Sequence, residues 1–198
     1  MNRTIIFLVF FFIVSTSSSA QNKNPFSSIR PQLERVVNDY PNQFALIKSE
    51  KNESEPGTIQ YGSKIEIKNA VETKVIGFTS KTKIHWVWES KLLVTEDIDE
   101  LKKLYKLYYN DIAGKSLLSK GNINSIKATG PYDAPSEELR LWTNQFRMND
   151  VTGEFSNMVI DLVAEYIGFE WTVFLRVYDK EKDDEIKPSK DKNDKYRF

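Results

Sequence analysis

Apolar side chains alternate with other side chains through two neighbouring segments near the end of the chain. Between residues 156 and 166 every second residue from Met158 to Tyr166 is apolar, and the same spacing recurs over 169–178. Gly168 separates the two segments. Successive side chains of a β-strand point to opposite faces, so this spacing places one apolar face on each segment. The pattern predicts two antiparallel strands joined by a tight hairpin at Gly168 and buried on one side.

Earlier segments show further strand patterns. Strands are predicted at 44–47, 58–67, 71–79, 83–94 and, with a poorer fit to the two-residue period, 138–148. The longest places five apolar side chains on one face, with Ser90 as the exception: Ile84, Trp86, Trp88, Leu92 and Val94. Turn-forming residues separate these segments, which is typical of an antiparallel meander.

Two helices are predicted from apolar spacings of three and four residues. The first follows Ser27 or Ser28, either of which provides an N-cap, and ends before Pro41. The second follows Thr95, which is predicted to cap it, and Gly114 ends it. The apolar stripe of the second helix contains Ile98, Leu101, Tyr105, Tyr108 and Ile112.

The predicted order is helix, three or four strands, helix, a long loop over 115–136, and two or three strands. A parallel doubly wound fold has one helix after each strand. The predicted order lacks this alternation, which argues against such a fold. We therefore expect one α+β domain over 21–178. Its antiparallel sheet would have about six strands, with the N-terminal helix and the central helix packed on one face. A closed or strongly curled sheet is the alternative.

The two ends of the chain differ from this domain. Residues 1–20 combine Arg3, an apolar run and small residues up to Ala20, the pattern of a cleaved signal peptide. The apolar run is half the length that a membrane-spanning helix needs, so an uncleaved anchor is the less favoured alternative. Residues 179–198 are rich in interspersed charges and predict a flexible tail. A periplasmic or secreted protein without a membrane span after signal cleavage is expected.

Composition and motifs exclude several classes of function. The 198 residues carry 28 basic and 28 acidic side chains, no cysteine and one histidine. This balance does not suggest a nucleic-acid binder, and neither a disulfide scaffold nor a zinc site is expected. No nucleophile elbow or phosphate-binding motif occurs, so no cofactor, metal or catalytic residue is predicted. His85 is interpreted as a half-exposed strand residue rather than a general base, while a pair of carboxylates acting together stays open.

Aromatic residues supply the candidate ligand-binding positions. Trp86 and Trp88 share a strand face, where they form either part of the core, which is favoured, or a two-ring platform. Trp142 lies in a segment of irregular period and is the better candidate for an exposed ring. Tyr132 lies in the loop signal of residues 129–133. These four residues are the predicted contacts to a ligand.

The sequence as a whole resembles small exported proteins of the Bacteroidota that have no assigned function. The resemblance is carried by a leader that ends in Ala20-Gln21, by the opening over 33–44, and by the passage over 86–105. In letters, the latter two read LxxVVNDYPNxF and WxWxxxLLxTxxxxxLKKLY. Because these motifs are structural, the resemblance implies no functional residue.

Three functions remain after these exclusions. The leading hypothesis is an exported, non-enzymatic binding protein for a small apolar or sugar-like ligand or for a protein partner. Its site would be the open face of the sheet or a cleft beside the loop at 115–136. The second hypothesis is a structural or assembly protein of the cell envelope, and the third is a hydrolase that uses two carboxylates.

Overall fold

The computed structural model of the protein describes residues 26–80, 83–114, 116–119, 122–149 and 153–180. The predicted signal peptide and all but the first two residues of the predicted tail lie outside these ranges.

The described residues form two α-helices, a short 3₁₀ turn and nine β-strands. The helices are α1 (Arg30–Asp39), followed by the 3₁₀ turn (Tyr40–Asn42), and α2 (Ile98–Ile112). The strands are β1 (Lys48–Asn52), β2 (Thr58–Ser63), β3 (Glu72–Thr79), β4 (Ile84–Thr95), β5 (Ser116–Ser119), β6 (Asn122–Ala128), β7 (Leu141–Met148), β8 (Met158–Ile167) and β9 (Glu170–Asp179).

All strand pairs are antiparallel, and the strand order is β1-β2-β3-β4-β9-β8-β7-β6-β5. The first four strands form a meander. The chain then passes through α2 to the far edge and returns as a second meander, whose last strand pairs with β4. The two meanders therefore join along β4 and β9, at the centre of the sheet.

This architecture confirms the α+β class and the antiparallel sheet, but the predicted strand number was wrong. Eight strands form one continuous sheet, and the short β5 extends its edge by pairing with β6. The difference arises mainly because β5 and β6 occupy the predicted loop at 115–136. Residues 44–47 form a turn rather than a strand, and β1 begins only at Lys48. Polar segments such as β6 become strands through pairing with their neighbours rather than through an alternating pattern of their own.

The predicted placement of both helices on one face of the sheet is not fully matched, because the two helices contact different strands. Helix α2 contacts the central strands β4, β8 and β9, whereas α1 contacts the edge strand β5. Both nevertheless contribute to one apolar core. The largest fully buried side chains in that core are Trp88, Tyr105, Phe44, Phe146, Ile29, Leu33, Ile65, Leu101, Ile112, Ile126 and Met158.

A β-bulge in β4 changes which residues face the core. Trp88 pairs with Val177, and both are fully buried on the core side. The register shifts between Lys91 and Leu93, so that Val94 pairs with Thr172 on the opposite face. The prediction that Val94 shares a face with Trp88 was therefore wrong, since an extra residue reverses the two-residue alternation beyond it.

Three local predictions also change. Ile29 rather than Ser27 or Ser28 is the N-cap residue of α1, and no side chain caps this helix. Asp97 rather than Thr95 caps α2, because the Asp97 side chain accepts hydrogen bonds from the backbone N–H groups of Asp99 and Glu100. The hairpin at Gly168 is confirmed, but Phe169 belongs to its turn and is 84% exposed. It does not lie on the buried face with Trp171.

Candidate functional site

A groove of about 290 Å³ lies where the end of α1 meets the start of β4 and the end of β9. Side chains from four parts of the chain line this groove, and two of these side chains carry a carboxylate. The groove is lined by Tyr40, Pro41, Gln43, Phe44, Lys83, Ile84, His85, Trp86, Glu154 and Asp179.

One wall of the groove is a turn with unusual backbone geometry. Gln43 and Phe44 have φ angles of 55° and 59°, although neither is glycine. The left-handed conformation costs an ordinary residue roughly 1–2 kcal/mol. Such conformations persist where the surrounding structure enforces them, and they cluster at ligand sites.

Asp39 enforces this turn from the last position of α1. Its side chain is 4% exposed, and its Oδ2 accepts hydrogen bonds from the backbone N–H groups of Leu46 at 2.9 Å and Ile47 at 3.1 Å. Its Oδ1 accepts a further bond from the Asn42 amide at 2.9 Å. The carboxylate thereby binds both ends of the turn that forms the groove wall.

Tyr40 and Asp179 form the polar part of the groove. The Tyr40 hydroxyl donates a hydrogen bond to the Asp179 carboxylate. Burial, reinforced by the charge of Asp179 and by this hydrogen bond, raises the pKa of Tyr40 well above its ordinary value. Asp179 Oδ1 is buried and accepts no hydrogen bond. A buried acceptor without a donor is costly, and such atoms call for an explanation such as a bound water or ligand.

Trp86 forms the apolar part of the groove and is held by two neighbours. The Lys48 ammonium lies 3.1 Å from the centre of the Trp86 ring, and the Tyr61 ring lies 5.9 Å from it. Burial of Lys48 lowers the pKa of its amine, against the opposing charge of Asp39. The indole also lies directly on Gly77 of β3, where any side chain would collide with it.

We expect Gly77→Ala to lower the free energy of unfolding by about 1–3 kcal/mol, the usual cost of overpacking. The added Cβ would lie 2.7 Å from a Trp86 ring carbon and 2.8 Å from an Ile84 methyl group. Urea denaturation followed by tryptophan fluorescence measures the change. Gly130→Ala is the matched control, because nothing lies within 4 Å of a Cβ built there. Equal stability of the two variants would show that Trp86 does not rest on β3.

His85, Glu154 and Lys83 complete the polar lining. The structure places His85 on β4 as a partly exposed residue. It also lines the groove, together with the carboxylates of Glu154 and Asp179. Among the described residues, no three histidine, aspartate or glutamate side chains are grouped as a metal site would require.

The structure does not bring the four sequence candidates together. Trp86 lines the groove, whereas Trp88 is fully buried and donates its indole N–H to Ser63 Oγ at 3.1 Å. Trp142 is partly buried, and its indole N–H donates to the Ser136 carbonyl at 3.2 Å.

Tyr132 packs on Tyr109, with the ring centres 4.7 Å apart. It therefore belongs with the aromatic contacts around α2 and lies outside the groove lining. Sequence reasoning did not identify Tyr40 or Asp179 as site residues. It treated Tyr40 as a helix end and Asp179 as the start of a tail, and no local motif marks either one.

Two buried carboxylates on the face of the sheet opposite the core are paired. Glu89 is 9% exposed, accepts a hydrogen bond from Arg176 Nε at 2.7 Å and lies 3.8 Å from Lys74 Nζ. Asp161 is 8% exposed and accepts a 2.7 Å hydrogen bond from the Tyr178 hydroxyl. These charges satisfy one another across adjacent strands, so the groove is the better candidate for a binding site.

No helix in the described ranges is long and apolar enough to cross a membrane. Neither a protein-family model, nor a curated protein, nor a solved structure matches this chain. The groove must therefore be interpreted from its own chemistry.

Proposed function

We propose that this chain is an exported binding protein whose groove takes a small ligand with an apolar face and several hydrogen-bond donors, as sugars have. The observation that carries the proposal is the buried, unpartnered oxygen of Asp179 beside Trp86 in one groove. A ligand hydroxyl or amine would supply the donor that this oxygen lacks. Export is inferred from the signal-peptide pattern of residues 1–20.

The lining suits such a ligand. Trp86 and Ile84 contribute apolar atoms to the lining, and the Lys48 ammonium covers the face of the Trp86 ring at 3.1 Å. Asp179 and Glu154 contribute carboxylates. The volume of about 290 Å³ is at the lower end of the roughly 300–1,000 Å³ typical of small-molecule sites. One sugar ring or a molecule of similar size is therefore the expected ligand. The strained turn at Gln43 and Phe44 would hold the wall in place before binding.

The test begins with native mass spectrometry of the protein purified from its own source, followed by calorimetry with a panel of mono- and disaccharides. We expect a bound adduct of a few hundred daltons and a sugar that binds. Asp179→Asn, which replaces an acceptor by a donor, should then weaken binding about tenfold or more.

Glu66→Asn is the matched surface control, because Glu66 is exposed and lies outside the groove lining. It should leave the affinity unchanged. A ligand whose affinity is the same in wild type and Asp179→Asn would have to bind elsewhere. A protein that carries no adduct and binds no member of the panel would favour a protein partner instead.

A carboxylate-dependent hydrolase is the second candidate, because Glu154 and Asp179 line the same groove. Glycoside hydrolysis requires two carboxyl groups that face one bond. The test is hydrolysis of aryl glycosides. The enzyme would be favoured if wild type releases the aryl group and Glu154→Gln binds the glycoside but does not release it.

A further inference from the structure

Exposed apolar side chains are concentrated at one end of the sheet, opposite the groove along β4 and β9. Eight large apolar residues are exposed among those whose exposure is described, and four of them lie here. We call these four the tip surface: Leu139 (55% exposed), Leu141 (56%), Ile167 (48%) and Phe169 (84%). Apolar side chains that cluster in this way mark interaction sites more often than isolated ones do.

Strand register places two of these residues, Leu141 and Ile167, on one face of the sheet. Leu141 pairs with Glu165, and the Tyr166 N–H donates to the Arg140 carbonyl at 2.8 Å, which continues the pairing beyond β7. Alternate residues of a strand share a face, so Leu141 and Ile167 form an apolar strip on the side away from the core. The exposed Leu139 precedes this strip in the chain.

Phe169 extends this strip at the turn of the β8–β9 hairpin. Gly168 and Phe169 form the two-residue turn, with φ angles of 59° and 79°. Such turns favour asparagine or glycine, whereas a bulky residue with positive φ is an outlier. Because the ring is 84% exposed, packing within the described fold does not explain its presence. A binding role for the ring would explain both its exposure and its backbone geometry.

The other side of the same sheet end is an acidic, aromatic pit of about 320 Å³. It is lined by Glu96, Glu137, Arg140, Tyr166 and Trp171. The Tyr166 and Trp171 rings lie 5.0 Å apart. Carboxylates next to aromatic rings attract lysine and arginine side chains, and the chain's own Arg140 lies 6.0 Å from the centre of the Tyr166 ring. Glu96 and Glu137 together carry one more charge than this arginine, so the lining of the pit is acidic on balance. The exposed Glu170 and Glu138 add negative charge to the surroundings.

We propose that this end of the sheet is a docking surface for a protein segment that carries apolar side chains next to a lysine or arginine. The apolar side chains pack on the tip surface, and the basic side chain enters the pit between Glu96 and Glu137. Negative charge at the pit disfavours an anionic membrane surface, since membranes of that kind attract basic segments. The proposal is independent of the groove and its ligand, which lie at the other end of β4 and β9.

The experiment uses the mature chain and two synthetic helical peptides of equal length, one of leucine and lysine and one of leucine and glutamate. Fluorescence anisotropy of labelled peptides gives the affinities. We expect wild type to bind the lysine peptide at least tenfold more tightly than the glutamate peptide. Phe169→Asn should weaken binding of the lysine peptide about tenfold, and the double variant Glu96→Gln with Glu137→Gln should abolish the preference for lysine.

Asparagine tolerates the positive φ of this turn position better than phenylalanine does. The denaturation midpoint of Phe169→Asn should therefore equal or exceed that of wild type. Phe78→Asn is the matched control, because Phe78 is 45% exposed on β3 and lies outside the tip surface. It should leave peptide binding unchanged. Equal affinity for both peptides, or an equal loss in both phenylalanine variants, would overturn the proposal. Self-association that Phe169→Asn removes, or flotation with anionic vesicles, would likewise overturn it in favour of a second copy or a membrane.

Discussion

Tyr105→Phe should lower the free energy of unfolding by about 2–4 kcal/mol, although it removes a single oxygen atom. The Tyr105 hydroxyl is buried and donates to the Leu162 carbonyl at 2.8 Å. It accepts hydrogen bonds from the backbone N–H of Asn144 at 3.2 Å and from the Asn144 side-chain amide at 2.9 Å. Asn144 and Leu162 pair directly between β7 and β8. Helix α2 thus inserts a hydroxyl between two paired strands, and each buried group left without a partner costs about 1–3 kcal/mol.

Urea denaturation of wild type and variant measures this loss. Tyr108→Phe is the matched control, since Tyr108 lies on the same helix, is 3% exposed and makes none of these three hydrogen bonds. It should cost less than about 1 kcal/mol. Equal losses in the two variants would show that the hydroxyl bridge does not stabilise the sheet.

The same hydroxyl predicts a dependence on alkaline pH. Burial raises the pKa of Tyr105 to about 12, against the opposing hydrogen bonds from Asn144. The unfolded chain therefore loses this proton first, near the ordinary value of 10.0, and stability falls as the pH rises from there towards 12. Tyr105→Phe should reduce this fall, while other buried tyrosines retain their own contributions.

Asp39→Ala should lower the free energy of unfolding by about 2–4 kcal/mol and also abolish the ligand binding that we propose for the groove. The variant leaves the backbone N–H groups of Leu46 and Ile47 without their acceptor and frees a turn whose Gln43 and Phe44 are in the left-handed region. Asp39→Asn, which keeps one acceptor oxygen, should lose about half as much stability. Glu66→Ala, at an exposed position, should change stability by less than about 0.5 kcal/mol.

Ligand affinity separates the two variants. Under conditions where it is folded, Tyr105→Phe should bind the proposed groove ligand as wild type does, because Tyr105 lies outside the groove lining. Asp39→Ala should fail to bind even where it is fully folded, as judged by circular dichroism. Normal binding by folded Asp39→Ala would show that the shape of the 40–47 turn does not matter for the ligand.

Helix α2 and the β8–β9 hairpin were predictable because their signals are local. An apolar stripe from Ile98 to Ile112 and an alternating run from Met158 to Tyr166 each lie within one element, and Gly168 allows the turn between the last two strands. Strands β5 and β6 lack such a signal, since their strand structure depends on pairing with each other and with β7. The bulge in β4 is likewise a property of its pairing with β9, which explains why Val94 was assigned to the wrong face.

The groove was less predictable than the fold. Trp86 was singled out because tryptophan is a common ligand contact, and the structure places it in the groove lining. Tyr40 follows helix α1, His85 lies near the start of β4, and Asp179 is the last residue of β9. Each residue type is common on protein surfaces, so no short motif distinguishes them.

The sequence by itself determined the α+β fold class, because the spacing of apolar residues along the chain differs between helices and strands. It also determined the positions of α2 and of the last hairpin. Only the tertiary structure decided the strand order, the bulge in β4 and the meeting of Tyr40, Trp86 and Asp179. The physical reason is that these features depend on contacts between distant segments. Their hydrogen bonds and buried surfaces form only when β9 pairs with β4 and α1 packs into the common core.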